Sequence, residues 1–196
     1  MLERLERAAS FEIPWSLYLL SRKTFSSIPA FLRDYLFLLR NSYFLILTSF
    51  VSFDTQTKLA IYRHFAESGQ RPSLEAVAES VGSDVSSVRE AYGRLRAQRV
   101  LVLEADGASI RMAPPFSGVP TQHIVIVDET KYFANCAWDS FGIPAALHRP
   151  GQVHSRCEQS GEPLNLEIGL EGPPRCSWLF HCLVPAARWW DDIVFT

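Results

Sequence analysis

A proline-rich segment divides the chain and limits what can fold on either side of it. Residues 114–120 read Pro-Pro-Phe-Ser-Gly-Val-Pro, so three of these seven residues are prolines. Proline fixes φ and lacks a backbone N–H, so a helix or a central strand cannot run through such a segment. The pattern predicts an extended linker at residues 114–120, with one domain before it at residues 52–113 and another after it at residues 121–196.

Residues 52–113 contain three stretches with apolar residues at helical spacing, followed by two short apolar runs around an Asp106-Gly107 turn. Three helices and a β-hairpin predict a winged helix-turn-helix-like domain. The expected elements are a helix capped by Asp54 and ending at Ser68, a helix over residues 74–81, a helix capped by Ser83 or Asp84 and ending at Arg96, and strands over residues 100–103 and 109–112.

The charge pattern does not favour nucleic acid as a partner. The chain has a formal net charge of −2, and Asp84 and Glu90 dilute Arg89, Arg94 and Arg96 on the third predicted helix. Binding to phosphates needs clustered, uncompensated positive charge. We therefore expect the winged-helix-like domain to cover the second domain and not to bind DNA.

Residues 1–51 form an apolar extension whose origin the sequence leaves open. The run over residues 35–53 is almost wholly apolar, but Arg40-Asn41-Ser42 interrupts it, and a central Arg costs about 2.5–3.5 kcal/mol on insertion scales. The N-terminus also lacks the pattern of a signal peptide. We expect no membrane partner and a cytoplasmic location. The extension is either an over-extended reading frame that truly starts near Ser52, or a swapped or docking helix.

Residues 121–196 combine several short strand patterns with one apolar helix. With the first domain, this predicts an α+β protein in which a winged helix-turn-helix-like domain precedes a mostly antiparallel sheet with a short active-site helix. The expected elements are strands over residues 123–127, 131–133, 153–157, 164–170 and 175–182, and a helix with Asn135 as N-cap and Cys136 as its first residue.

Cys136 and Asp139 stand one turn apart at the start of that predicted helix. Residues three apart share a helix face, with Cβ atoms about 5–6 Å apart. The helix dipole and the free N–H groups should lower the pKa of the Cys136 thiol. Cys136 is therefore a candidate soft-metal ligand or nucleophile. The alternative is a buried cysteine beside an Asp that only stabilises the helix.

The residues around this pair resemble the organomercurial (alkylmercury) lyase family. Residues 132–139 read Tyr-Phe-Ala-Asn-Cys-Ala-Trp-Asp and residues 141–145 read Phe-Gly-Ile-Pro-Ala. Further along, residues 153–157 read Val-His-Ser-Arg-Cys and residues 161–164 read Gly-Glu-Pro-Leu. A Cys-x-x-Asp before a Pro-containing helix, together with a downstream Ser-x-Cys hairpin, is a fairly specific combination. The resemblance extends from Ser52 to the C-terminus.

The resemblance implies cleavage of carbon–mercury bonds in mercury detoxification, with Cys136 as the first thiolate and mercury ligand. Asp139 would take the thiol proton and deliver it to carbon, which leaves a hydrocarbon and mercuric ion, and Cys157 would be structural. The family uses no cofactor, because mercury is part of the substrate and product. The implied partners are a small organomercurial, cellular thiols and a mercuric reductase.

The main departure from the family pattern concerns the second active-site cysteine. In the family it lies on a strand near the C-terminus, and we align it just beyond Thr196, so we expect a C-terminally truncated lyase domain. Alternatively, Cys182 or Cys176 substitutes for it. These two cysteines are six residues apart, so an unbroken strand would present both on one face.

Other patterns for active sites are weak in this sequence. His148, His154 and His181 lie on separate predicted elements and lack the spacing of zinc ligands. No Gly-rich phosphate loop, Gly-x-Ser-x-Gly or HExxH sequence occurs. The competing hypothesis is a non-enzymatic winged-helix regulator that senses a thiophilic metal or an electrophile through Cys136.

Overall fold

The computed structural model describes residues 51–177, 179, 181–182 and 184–194. The prediction for the apolar extension therefore lies outside the described residues, except for its last residue. The described part is a mixture of helices and antiparallel sheets, which confirms the coarse fold class. None of its helices combines the length and the apolar character needed to cross a membrane.

The described residues begin with three helices, and a serine or aspartate side chain caps each of them. The Ser52 hydroxyl accepts from the Thr55 N–H at 3.3 Å, so the expected cap at Asp54 is wrong. The Asp54 carboxylate is instead held by Arg94, whose Nε and Nη2 donate at 3.0 and 2.8 Å. The second helix matches its predicted bounds, and Asp84 caps the third. The helices are α1 Phe53–Ser68, α2 Leu74–Val81 and α3 Val85–Ala97.

A three-stranded antiparallel sheet follows, in the order β1-β2-β3. The predicted hairpin is present, and the Asp106 carboxylate organises its turn by accepting from the N–H groups of Ala108 and Ser109. The third strand was not predicted, because the prolines at 114 and 115 suggested only a connection. The name winged helix for these helices and strands stays a prediction. The strands are β1 Val102–Leu103, β2 Ile110–Ala113 and β3 Phe116–Ser117.

The segment predicted as a linker does more than connect the two predicted domains. Proline removes backbone donors only at its own position, so Phe116 and Ser117 remain free to pair with Ala113 and Met112. The Phe116 side chain is only 2% exposed and belongs to the core. The division into domains at residues 114–120 stays a prediction, but the segment itself is a packed part of the described structure.

The second sheet has four strands in the order β5-β4-β6-β7, and every neighbouring pair is antiparallel. The helix α4 connects β5 to β6. The described residues between 175 and 182 carry no strand, so that prediction is wrong; Pro173 and Pro174, just before them, cannot donate to a ladder. The elements are β4 Ile124–Val127, β5 Thr130–Phe133, α4 Ala137–Leu147, β6 Gly151–Arg156, β7 Pro163–Ile168 and a 3₁₀ helix Ala186–Asp191.

Aromatic packing connects α1 to both sheets. The rings of Phe65 and Phe116 stack with centroids 5.3 Å apart, and Phe116 also contacts the Tyr132 ring at 5.8 Å. The Tyr132 hydroxyl donates to the Ala66 carbonyl oxygen at 2.7 Å. These contacts fix β5 against α1 within one buried cluster. Since β5 leads directly to Cys136, they also fix the start of α4.

Candidate active site at the start of α4

Cys136 is the N-cap of α4 and not its first helical residue, so the predicted helix start is wrong by one position. The Asn135 side chain does not cap the helix. Its Nδ2 donates to the Asp139 Oδ2 at 2.9 Å and to the Pro115 carbonyl oxygen at 3.3 Å. An N-cap side chain accepts from backbone N–H groups, but the Asn135 Oδ1 has no hydrogen-bond partner among the described residues, and Cys136 occupies the cap position instead.

The structure brings Cys136 and Asp139 together, as their spacing predicted. Hydrogen bonding from the Cys136 thiol is one of the causes that lower the pKa of the Asp139 carboxyl, so the two side chains are neighbours. The backbone N–H groups of Asp139 and Trp138 donate to the Cys136 sulfur. The thiol therefore has both an acceptor for its proton and donors that would stabilise a thiolate.

The pKa of Cys136 is raised, which contradicts the expectation of a thiol activated by the helix dipole. Burial of the sulfur is the largest cause, because removal from water disfavours the charged form. The backbone N–H donors lower the pKa, but the negative charges of Asp139 and of a Cys182 thiolate raise it again. At neutral pH the free site therefore holds a neutral thiol.

Burial also raises the pKa of Asp139, so its proton affinity exceeds that of a solvated aspartate. The hydrogen bonds from Asn135 and Cys136 act in the opposite direction and favour the carboxylate. The sequence left the burial of Asp139 undecided. Its environment is that of a carboxyl which can both accept and return a proton.

Tyr62 of α1 also belongs to the surroundings of the site, although the apolar spacing of that predicted helix gave no sign of this. Its hydroxyl donates to the Pro114 carbonyl oxygen at 3.0 Å. The pKa of Tyr62 is raised by burial and, to a smaller extent, by the negative charge of Asp139. The carbonyl groups of Pro114 and Pro115 thus accept from Tyr62 and Asn135 respectively, on adjacent residues.

Of the two candidates for a second thiol, Cys182 interacts with the site. It is the last of the causes that raise the pKa of Cys136, through its charge, whereas Cys176 is not among those causes. Both cysteines are exposed, and no strand holds them on a common face in the described residues. Cys182 is therefore the nearer of the two candidates in its electrostatic effect on Cys136.

Cys157 lies in the turn between β6 and β7. Its N–H donates to the Glu162 carbonyl oxygen, and its own carbonyl oxygen accepts from the Gly161 N–H, both at 2.8 Å. Hydrogen bonds from the Ser160 hydroxyl and from the backbone lower the pKa of its thiol. The backbone bonds fit the predicted structural role, which stays a prediction.

The histidines singled out in the sequence occupy separate places. His148 ends α4 with a φ of 50°, and the His154 Nδ1 lies 2.9 Å from the Asn165 Oδ1 on β7. His181 is exposed. Within the described ranges, no three or more side chains of His, Cys, Asp or Glu converge in a way that would hold a metal ion.

Known proteins resemble parts of this chain. Residues 116–195 match the family model of MerB, the alkylmercury lyases. Alkylmercury lyases from Bacillus cereus and Clostridium butyricum are each 27% identical over 100 residues, which are 51% of this chain and 44% of each relative. The chain thus spans less than half the length of these curated relatives.

A solved structure extends the likeness to the fold. The mercury-bound form of MerB2 aligns with 69% of this chain and 66% of its own chain, with a TM-score of 0.51 and 20% sequence identity. At that identity the likeness concerns the fold alone. The family match confirms the predicted resemblance to alkylmercury lyases, and the matched residues 116–195 include Cys136 and Asp139.

Proposed function

We propose that this protein is an organomercurial lyase that cleaves carbon–mercury bonds by thiol coordination and proton transfer. The observation that carries the proposal is the position of the Cys136 thiol beside the Asp139 carboxyl, whose pKa this neighbour affects, in the segment that matches the MerB family. Sulfur is the ligand that a soft metal prefers, and a carboxyl in contact with it can move the proton that the reaction requires.

The reaction begins when the Cys136 sulfur bonds to the mercury of an organomercurial cation. The proton of the Cys136 thiol passes to the neighbouring Asp139 carboxylate. The thiolate then donates electron density through mercury to carbon. As the carbon–mercury bond breaks, its electron pair takes the proton from Asp139, so that a hydrocarbon leaves and mercuric ion stays on sulfur.

The raised pKa values of Cys136 and Asp139 support this order of steps. A neutral thiol needs a base at the moment of metal binding, and the neighbouring carboxylate is suitably placed. A carboxyl with a raised pKa keeps its proton at a pH closer to neutral than a solvated carboxyl does, so it can hold the proton until the carbon accepts it. The two groups therefore share one proton between them during the cycle.

Cys182 is our candidate for the second thiolate on the mercuric ion, and Cys176 is the alternative. The support for Cys182 is its electrostatic effect on Cys136. Two thiolates hold mercury more firmly than one, and small cellular thiols would then remove the ion and pass it to a mercuric reductase. Four free cysteines suit a reducing compartment, so we propose a cytoplasmic location.

We propose that the helices and strands over residues 53–117 form a winged-helix-like cover for the site and not a DNA-binding surface. Tyr62 supports this role through its bond to Pro114 and its sensitivity to Asp139. On α3, Arg94 is paired with Asp54 at 2.8 Å and with Glu90 at 3.8 Å. Because these carboxylates neutralise Arg94, the helix α3 has less free positive charge for binding DNA phosphates, which argues against the regulator hypothesis.

The proposal is tested by incubating the protein with phenylmercury acetate and excess thiol, and by following benzene release. Wild-type protein should release benzene catalytically, and Asp139→Asn should reduce turnover by about 10²–10⁴-fold because it removes the proton carrier. Phenylmercury binding by Asp139→Asn should persist, since Cys136 is intact. Stoichiometric binding without benzene release by the wild type would refute the lyase proposal.

A further inference from the structure

Trp138 presents an exposed aromatic ring beside the proposed catalytic pair. Its side chain is 56% exposed, whereas every other aromatic side chain whose burial the structure describes is buried or half-buried. Tryptophan is usually well buried in folded proteins, because its ring carries a large apolar area. A tryptophan that stays exposed at the edge of a candidate active site therefore calls for a role.

The start of α4 places this ring close to the Cys136 thiol. Cys136 is the N-cap, and its carbonyl oxygen accepts from the Ser140 N–H at 3.2 Å, so Trp138 is the second residue of the first turn. The side chain of an N-cap residue lies over the second and third residues of its helix. Helical side chains in turn lean towards the N-terminus and cover the turn before their own Cα. The Trp138 ring is thereby directed towards the end of α4 at which the thiol lies.

The organic group of a bound mercurial would lie along the same turn. Mercury with one sulfur and one carbon ligand has its two bonds on opposite sides, so the organic group points away from the Cys136 sulfur. Its carbon must also come within reach of Asp139, which supplies the proton. Trp138 and Asp139 are successive residues, about 100° apart around the helix axis. The indole therefore flanks the space that the organic group occupies.

We propose that Trp138 is a specificity-determining residue whose exposed indole binds the organic group of the mercurial and favours aryl over alkyl substrates. This inference rests on the proposed lyase function, which it deepens by naming the substrate class. The substrate would cover the ring face that the protein leaves exposed.

The preference for aryl groups follows from the chemistry of the ring. Two aromatic rings with centroids about 4.5–7 Å apart attract each other beyond the effect of the area that they bury. A phenyl group can form such a pair with the indole, whereas a methyl group covers only a small part of the ring. Bonding of mercury to Cys136 and proton transfer from Asp139 are common to both substrates. A comparison of phenylmercury with methylmercury thus isolates the contribution of Trp138.

The test measures kcat/KM for benzene release from phenylmercury acetate and for methane release from methylmercury chloride, both with excess thiol. Trp138→Ala should lower the value for phenylmercury by about 2- to 10-fold, the effect of losing one ring pair, and the value for methylmercury by less than about twofold. Trp138→Phe keeps an aromatic ring and should retain most of the preference. An equal fall for both substrates in Trp138→Ala would overturn the inference, because a general disturbance of the site acts on both.

The matched control is Trp190→Ala, which makes the same substitution in the 3₁₀ helix, where the Trp190 ring lies 6.0 Å from the Arg99 guanidinium carbon. This variant should leave the ratio of the two kcat/KM values unchanged. If its ratio fell as far as that of Trp138→Ala, the preference would not depend on a ring at the start of α4, and the inference would be wrong.

A binding experiment separates this inference from the proposed function. The proteins also carry Asp139→Asn, so that bound substrate is not cleaved. Each is mixed with phenylmercury or methylmercury and a fixed excess of glutathione, and the mercury that stays on the protein is measured after gel filtration. Subtraction of the same measurement on the matching Cys136→Ser variant leaves the mercury held by Cys136.

The protein with Trp138 should retain phenylmercury in preference to methylmercury, and Trp138→Ala should reduce that preference by about 2- to 10-fold. If the preference depends on Trp138 but the wild type releases neither benzene nor methane, only the lyase proposal is refuted. If the wild type releases benzene but Trp138→Ala keeps the same preference in binding and in turnover, only the inference about Trp138 is refuted.

Discussion

Cys136 and Cys157 have similar hydrogen bonds but opposite shifts in pKa. Each sulfur accepts from backbone N–H groups, and each residue is partly buried. Loss of hydration is the largest influence on Cys136 and raises its pKa, whereas at Cys157 the Ser160 hydroxyl dominates and lowers it. Donors at a helix start or in a turn therefore activate a thiol only where the sulfur keeps its water.

The comparison also shows what a proton-transfer site requires. Cys157 has a lowered pKa and lies in a turn whose hydrogen-bonding groups are those of Ser160 and the backbone. Cys136 is less acidic but lies beside the half-buried carboxyl of Asp139. A thiol that keeps its proton until the metal arrives can supply that proton to the product carbon. The less acidic cysteine is thus the better candidate for protonolysis.

The largest expected effect comes from exchanging each sulfur for oxygen. Cys136→Ser should reduce benzene release from phenylmercury by more than about 10³-fold and abolish tight phenylmercury binding, because the mercury ligand is lost. Cys157→Ser should retain turnover and mainly lower the denaturation midpoint. Equal phenylmercury binding by the wild type and Cys136→Ser would remove the basis for the assignment.

A smaller loss is expected from the second thiol. Cys182→Ser should slow benzene release and weaken retention of mercuric ion, though less than Cys136→Ser does. Cys176→Ser is the matched control, since it changes another exposed cysteine of the same segment. Retention of mercuric ion is measured by competition with a chelating dithiol. If Cys176→Ser has the larger effect, the second ligand is Cys176 and the electrostatic argument for Cys182 fails.

The sequence predicted the proximity of Cys136 and Asp139 better than it predicted their local environment. The Cys-x-x-Asp spacing placed Cys136 and Asp139 side by side, because helical periodicity is a local property. The helix start was misplaced by one residue because Asn135 is committed to Asp139 and to Pro115, which lies twenty positions earlier. A contact between positions so far apart in the chain cannot be predicted from the spacing of residues in the sequence.

The same limit explains the other differences. The predicted helices of residues 53–97 follow from apolar spacing and from N-cap residues. Only the N-cap of the first helix differs, because Arg94 binds the Asp54 side chain and Ser52 is the cap. Strand β3 was not predicted because the segment is rich in proline, although Phe116 and Ser117 can still pair with β2. The pKa of Cys136 was predicted in the wrong direction since burial depends on packing by elements far apart in the chain.

Alkylation by iodoacetamide tests the two pKa shifts without any mercurial. The reagent attacks the thiolate, so the fraction ionised controls the rate. At pH 7 we expect Cys157 to react faster than Cys136, and the difference should narrow as the pH rises towards the raised pKa of Cys136. Peptide mass spectrometry after timed quenching measures both rates in one sample. Faster labelling of Cys136 at pH 7 would show that its thiol is activated after all.

The smallest expected effect concerns the stability cost of the buried carboxyl. The folded-state pKa of Asp139 lies above its unfolded value, so its contribution to stability is fully present below the unfolded pKa of about 3.9 and is lost as the pH rises through the folded pKa. Asparagine does not ionise and escapes this loss. Asp139→Asn should therefore raise the urea midpoint slightly at pH 7 and leave it unchanged at pH 3.

Cys157→Ser provides the contrast, because its site carries no buried carboxyl. A lower midpoint for Asp139→Asn at pH 7 would mean that the hydrogen bonds from Asn135 and Cys136 outweigh the burial of the charge.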